Sequence, residues 1–233
     1  LYRAVDDMQL LKIDNPDSIA CGLTNAEQVT VTVRNSMNYA ISNIPIVLRV
    51  DGVVVPSETI VGPVLANSTV PFTFNPGVAD LSAPGIHILE AYLTLGSDNV
   101  KDNDTAKLNV NSLPMVNTFP YLENFETGNG YWYTDSVGSS WQYGTPLSAK
   151  VLRAASGSKA WKTNLNGYYN DGELSYLYSP CFNLTGMSSP TFSCNISLDI
   201  EDCGVGGLCD AAWMEYSANG GVSWTKLGAF GSG

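Results

Sequence analysis

The stretch Gln28-Val29-Thr30-Val31-Thr32-Val33-Arg34 alternates three valines with polar residues. Because successive side chains of a β-strand point to opposite faces, this pattern predicts a strand with one buried and one solvated face. The next apolar stretch, residues 44–50, is followed by Asp51-Gly52, a pair that favours the tight turn of a β-hairpin. Both features indicate antiparallel β-structure rather than helix.

The first half of the chain contains more segments of this kind. Further strands are predicted at residues 53–55, 69–74, 86–95 and 105–110. Prolines recur between these strands and leave no room for a long helix. About seven short strands in roughly 110 residues are typical of an immunoglobulin-like β-sandwich. We therefore predict such a sandwich for residues 1–115.

The composition changes in the second half, which contains all five tryptophans and long loops rich in Gly, Asn and Asp. Its strands are predicted at residues 160–163, 173–178, 191–198 and 212–216. The pattern predicts a second all-β unit over residues 116–233, and we expect a jelly-roll β-sandwich.

The charge of the chain excludes several classes of partner. Lys and Arg number 11 against 22 Asp and Glu, which gives a net charge of −11. This balance argues against binding to nucleic acid or to anionic lipid surfaces. No apolar run reaches the length of about 18 residues that a membrane-spanning helix needs, so direct membrane insertion is not expected. The chain starts at Leu1 without a signal peptide, and we expect flanking domains of the same polypeptide.

Four of the five cysteines lie in the second half. Cys203 and Cys209 bracket a glycine-rich loop that could close as a small disulfide hairpin, and Cys181 and Cys194 flank predicted neighbouring strands. We expect disulfides at these four residues, with free buried thiols as the alternative. Zinc is disfavoured because the chain has no CxxC pair and its only histidine, His87, lies in the other half.

Three segments of the second half resemble MAM-like jelly rolls of the choice-of-anchor J and cleaved-adhesin type. They are Phe119-Pro120-Tyr121-Leu122-Glu123-Asn124-Phe125-Glu126-Thr127-Gly128, Leu177-Tyr178-Ser179-Pro180-Cys181-Phe182-Asn183-Leu184, and the stretch from Asp210 to Trp224. The first half resembles CARDB-like immunoglobulin modules at residues 27–35, 51–52, 85–93 and 102–105. Such domains usually continue past the Trp224 motif, so we expect the jelly roll to be incomplete in this chain.

The resemblance implies a secreted, repeat-containing surface protein of bacteria, and it implies a metal. In MAM-like jelly rolls the glutamate that corresponds to Glu126 commonly faces a structural calcium ion. Asp171, in a predicted loop, and Asp210, at the edge of a predicted strand, are candidates for further calcium ligands. In the first half, residues 98–104 are also rich in carboxylates and amides, but they lack the glycine and terminal glutamate of an EF-hand. We expect a solvated hairpin loop there.

The aromatic residues of the second half raise the question of carbohydrate binding. Trp132, Tyr168 and Tyr169 lie in loops rich in Gly and Asn, where an exposed ring can serve as a stacking platform for a sugar. We predict these three as ligand-binding residues.

Catalysis is not expected. His87 lies in a strand-like run without a plausible triad, and no nucleophile or phosphate-binding motif is present. The sequence favours a non-enzymatic adhesin or display segment of the cell surface, with a glycan or a host or neighbouring surface protein as partner. The alternatives are a carbohydrate-binding accessory module of a secreted hydrolase and an inert structural stalk.

Overall fold

The computed structural model describes residues 6–55, 57–75, 77–134, 137–201, 203–204 and 209–229. The chain divides into two compact units, Leu1–Pro114 and Met115–Gly233. Apart from one short 3-10 turn at Lys101–Asn103, every regular element of the described residues is a β-strand, so the predicted all-β class is confirmed. None of the described residues form a helix that is long and apolar enough to cross a membrane.

The first unit is a β-sandwich of the immunoglobulin-like type. Its strands are β1 Met8–Asn15, β2 Ile19–Cys21, β3 Thr30–Asn35, β4 Ile44–Val50, β5 Val53–Val54, β6 Glu58–Ile60, β7 Thr69–Thr73, β8 Gly85–Leu93 and β9 Thr105–Leu113. One sheet has the order β1-β3-β7. The other has the order β2-β9-β8-β4-β5, and β6 also pairs with β4. All of these pairs are antiparallel except β2 with β9.

The core of the first unit is built from apolar residues, and it was their alternation with polar residues that predicted the strands. Val29, Val31 and Val33 are fully buried. They belong to one apolar cluster with Leu48 of β4 and Leu89 of β8. Removing such a side chain from water stabilises the fold by about 1.5–3 kcal/mol, so the cluster that spans both sheets holds them face to face.

The predicted hairpin turn at Asp51-Gly52 is confirmed, since both residues have positive φ angles of 50° and 81°. The Asp51 carboxylate accepts the N–H of Ile88 at 2.7 Å and contacts His87 Nδ1 at 2.7 Å. His87 Nε2 lies 2.8 Å from the Ala83 carbonyl oxygen. His87 thus ties the hairpin turn to β8, which is a structural role.

We expect His87 to stabilise the first unit more at acidic than at alkaline pH. Burial lowers the pKa of His87, but its hydrogen bonds to the Ala83 carbonyl and the Asp51 carboxylate outweigh burial and raise that pKa above its usual value. The stabilisation is therefore complete below the unfolded-state pKa of about 6.5 and is lost as pH rises through the raised folded-state pKa. Denaturant unfolding of the native chain and of His87→Gln should differ more in free energy at about pH 5.5 than at about pH 8.5. A difference that grows with pH would contradict this assignment.

The second unit is built from short strand pairs. Its strands are β10 Met115–Val116, β11 Tyr133–Thr134, β12 Trp141–Gly144, β13 Ala160–Thr163, β14 Leu177–Tyr178, β15 Cys181–Phe182, β16 Trp213–Tyr216 and β17 Thr225–Ala229. They form the pairs β10–β15, β11–β14, β12–β13 and β16–β17, of which only the first is parallel. Aromatic contacts accompany these ladders, such as the stacked rings of Tyr133 and Tyr178, whose centroids are 5.0 Å apart. The jelly roll stays a prediction.

Two sequence predictions for the second unit are wrong. The predicted strand at 191–198 forms no ladder among the described residues, and its apolar side chains are half exposed, for example Phe192 at 53% and Ile196 at 49%. Cys194, which lies in this segment, has a free and exposed thiol, so the predicted disulfide at Cys194 is absent. The reason is that alternation indicates an apolar face but does not supply a partner strand.

The predicted small disulfide hairpin between Cys203 and Cys209 is confirmed. Cys181 is disulfide-bonded as predicted, but not to Cys194, whose thiol is free.

Candidate functional site

The predicted calcium ligand Glu126 is already occupied by hydrogen-bond donors of the protein. Its carboxylate accepts the N–H of Lys159 at 2.8 Å, the N–H of Ser158 at 2.9 Å and the Ser158 hydroxyl at 3.0 Å. These donors lower the pKa of Glu126, and the Lys159 N–H contributes most to this shift. The backbone at Gly157 passes so close that a Cβ there would collide with this carboxylate. These three donors use most of the roughly four lone-pair sites of the carboxylate, which leaves little capacity for a calcium ion at Glu126.

The other two predicted ligands do not join Glu126. Asp171 is exposed in a turn. The Asp210 carboxylate accepts the Tyr169 hydroxyl and, at 3.2 Å, the N–H of Glu201. Within the part of the chain that the structure describes, no group of three or more Asp, Glu, His or Cys side chains is arranged to hold a metal ion. Calcium in this unit therefore stays a prediction without an assembled ligand set.

We expect Glu126 to protect the turn that it caps. Glu126→Ala removes the acceptor for two backbone N–H groups, so hydrogen exchange at Ser158 and Lys159 should become faster. Asp171→Ala, which changes an exposed carboxylate of the same unit, should leave these two amides unchanged. Exchange can be measured by NMR with calcium and again with a chelator. Protection of Ser158 and Lys159 that requires calcium would contradict a turn held by protein donors alone.

Among the predicted aromatic platforms, Trp132 is partly buried. Its ring packs edge-to-face on Phe125 with centroids 5.8 Å apart, and its indole nitrogen is buried. Tyr168, by contrast, is 64% exposed. The backbone of Tyr168 is fixed by the Asn164 side-chain amide, which donates to the Tyr168 carbonyl at 2.9 Å. Of these two rings, Tyr168 therefore offers the larger exposed surface for stacking.

Tyr168 and Tyr169 lie in a shallow groove of about 160 Å³, which we call the Tyr168 groove. Its lining residues are Lys150, Tyr168, Tyr169, Asp199, Ile200 and Glu201. The Lys150 ammonium and the Asp199 carboxylate form an ion pair of 2.9 Å. The hydroxyl of Tyr169 donates to Asp210 and accepts the N–H of Glu201 at 3.2 Å. One ring is thus held rigidly beside another that is exposed, with charged groups at the edge.

Three charged groups of this groove were not predicted as ligand-binding residues: Lys150, Asp199 and Glu201. Lys150 lies 49 residues before Asp199, and no local motif connects either segment to the two tyrosines. Asp210 was predicted as a metal ligand, and the structure instead gives it the role of fixing the Tyr169 hydroxyl. An exposed aromatic face flanked by ammonium and carboxylate groups can stack on a sugar ring and hydrogen-bond its hydroxyls.

A second cluster of charged groups lies in the hairpin loop predicted at residues 98–104. Asn99, Lys101 and Asp102 are exposed, as expected of a solvated loop, but two of its carboxylates are not. Asp98 is 5% exposed and Asp104 is 4% exposed. The Asp98 carboxylate accepts the N–H of Met8 at 2.7 Å and the N–H of Val100 at 2.8 Å. Burial raises the pKa of Asp104, and the charge of Asp98 adds to this, so that the pKa is about 6 although the Lys101 ammonium opposes the shift. We call residues 98–104 the acidic turn.

No protein-family model matches the chain, and no curated protein does. Solved structures are similar to about half of it. The crystal structure of the CARDB domain of the PF1109 protein from Pyrococcus furiosus, in complex with di-metal ions, is 14% identical, with a TM-score of 0.37 over 48% of this chain and 97% of that chain. The NMR structure of the same domain is 16% identical, with a TM-score of 0.34 over 47% and 97%. The 272–376 domain of a protein described as a cell surface protein from Methanosarcina acetivorans is 19% identical, with a TM-score of 0.39 over 47% of this chain and 93% of that chain.

Proposed function

We propose that the chain is a non-catalytic segment of an extracellular surface protein, and that the Tyr168 groove is its contact surface for a carbohydrate. The exposed ring of Tyr168 beside the fixed ring of Tyr169 is the observation that carries this proposal. The groove is smaller than the roughly 300–1,000 Å³ of pockets for drug-sized ligands. A single sugar ring, or the end of a glycan chain, suits a groove of this size.

The charges at the groove favour a neutral sugar. Lys150 supplies hydrogen-bond donors, while Asp199 and Glu201 supply acceptors, and a sugar hydroxyl can satisfy both kinds of group. The chain carries a net charge of −11, which repels sulfated and sialylated glycans at long range. We therefore expect uncharged hexoses rather than acidic sugars as ligands.

Two features support a non-catalytic role outside the cell. The disulfide between Cys203 and Cys209 is of a kind that persists in oxidising compartments. Of the two carboxylates that line the groove, Asp199 and Glu201, Asp199 is ion-paired with Lys150. A glycosidase needs one carboxylic acid free to protonate the leaving oxygen and a second carboxylate across the bond, so the engagement of Asp199 argues against such a pair.

The decisive test is a glycan-array screen followed by titration of the best ligand. Tyr168→Ala removes the stacking surface, which is worth about 0.5–1.5 kcal/mol, so affinity should fall roughly three- to tenfold. Tyr131→Asn is the matched control, because Tyr131 is 50% exposed in another loop and Asn tolerates its φ of 58°. This control should bind as the native chain does.

A blank array from folded protein would reject the carbohydrate proposal and leave a protein ligand or a structural stalk. Equal losses in Tyr168→Ala and Tyr131→Asn would also reject it. Because no calcium ligand set is assembled at Glu126, binding should be the same with calcium and with a chelator.

A further inference from the structure

The acidic turn places two carboxylates where neither has full access to water. Asp98 and Asp104 are both more than nine-tenths buried, and their carboxyl groups are in contact. Burying an ionised carboxylate is costly unless donors or a cation compensate its charge. For Asp98 the compensation is visible, since each of its oxygens accepts one backbone N–H.

Asp104 has less compensation than Asp98, because its charge is opposed only by the Lys101 ammonium at 3.3 Å among the described groups. Neither of its carboxylate oxygens has a hydrogen-bond partner, and the neighbouring Asn103 Oδ1 is buried and unpartnered as well. Asn103 keeps its orientation because its side-chain NH₂ donates to Asp7 at 3.0 Å. The Asp104 carboxyl lies against that of Asp98, so burying both requires a shared proton or further positive charge. Three buried oxygens that accept no hydrogen bond in one turn are where such a charge can bind.

Lys101 is the alternative source of that charge. Its ammonium forms an ion pair of 3.3 Å with Asp104 Oδ2 and also donates to the Leu95 carbonyl oxygen at 2.7 Å. The Lys101 side chain is 54% exposed, whereas that of Asp104 is 5% exposed. An exposed ammonium at this distance neutralises a buried carboxylate only in part.

We infer that the acidic turn is a calcium site of the first unit, with Asp104, Asp98 and the Asn103 side-chain oxygen as its protein ligands. Oxygen ligands from carboxylates and amides select a hard divalent cation, and irregular loop geometry suits calcium better than magnesium, which demands a near-ideal octahedron. Waters would complete the coordination. This site is independent of the Tyr168 groove and of the calcium position predicted at Glu126.

A cation here would act on the first strand as well as on the turn. Asp98 accepts the N–H of Met8, the first residue of β1, and the N–H of Asn99 donates to the Asp6 carbonyl at 2.9 Å. Neutralising the turn would therefore stabilise the start of β1 against the connection between β8 and β9. We expect binding to protect these backbone hydrogen bonds from exchange.

The test uses the 233-residue chain with calcium at about 5 mM, above the dissociation constants of roughly 10⁻⁴–10⁻³ M that are typical of extracellular calcium modules. Calcium should raise the melting temperature of the first unit by roughly 4 °C or more. In NMR titrations the amides of Met8, Asn99 and Val100 should shift. Asp104→Asn should weaken calcium binding about tenfold or more, because it removes a charged ligand.

Asp102→Asn is the matched control, since Asp102 lies in the same turn but is exposed. The calcium affinity of this variant should stay within about twofold of that of the native chain. Asp104→Asn removes repulsion from Asp98, so this variant should fold without calcium at least as stably as the native chain. Equal binding by the native chain and Asp104→Asn would overturn the site. Absence of binding to the native chain would overturn it too and make Lys101 the countercharge. Tighter binding of magnesium than of calcium would overturn the choice of ion.

Discussion

The antiparallel ladder between β8 and β9 is the interaction on which the first unit depends. It runs from the pair Gly85 and Ser112 to the pair Tyr92 and Thr105, and every other strand of the six-stranded sheet is attached to it directly or through β4. Because its inner face carries Leu89, Ala91 and Val110, the same ladder also supplies the wall against which the β3 valines pack. A ladder of this length must be closed by a connection at the edge of the core. In this chain that connection, between Leu93 and Thr105, contains the acidic turn with its two buried carboxylates.

The acidic turn also joins the two sheets. β1 belongs to the three-stranded sheet, while β8 and β9 belong to the other, and the contact between the Met8 N–H and the Asp98 carboxylate connects them. Hydrophobic burial is non-directional and holds the sheets together without fixing their edges. A charge-assisted hydrogen bond is directional and stronger than a neutral one, so it determines where β1 begins. The His87–Asp51 contact fixes the β4–β5 turn against β8 in the same manner, again with a carboxylate as the acceptor.

The sequence predicted those strands whose buried faces repeat every two residues, and it missed those whose repeat is interrupted. β3 and β8 alternate between buried and outward residues, and β4 does so except at Val47, which is also buried; all three were predicted to within two residues. β1 was missed because register shifts between Leu10 and Lys12 and between Ile13 and Asn15 break its period of two. The segment 191–198 shows the converse, since it alternates without forming a ladder. Periodicity reports which side chains share a face, whereas a strand also requires a partner that only the whole fold supplies.

Some carboxylates in this chain accept hydrogen bonds from the protein and others accept none. This difference shows why the candidate sites could be predicted only in part. Tyr168 and Tyr169 were found from loop composition, but Lys150 and Asp199, 49 residues apart, meet only in the folded chain. Glu126 resembled a metal ligand, and in the fold its carboxylate accepts hydrogen bonds from three protein donors. Asp104 resembled a solvated loop residue and instead has buried oxygens without partners. The charge of a carboxylate is visible in the sequence, but its capacity to bind a cation depends on how many donors the backbone has already placed around it. That number is a property of the turn conformation, and composition does not encode it.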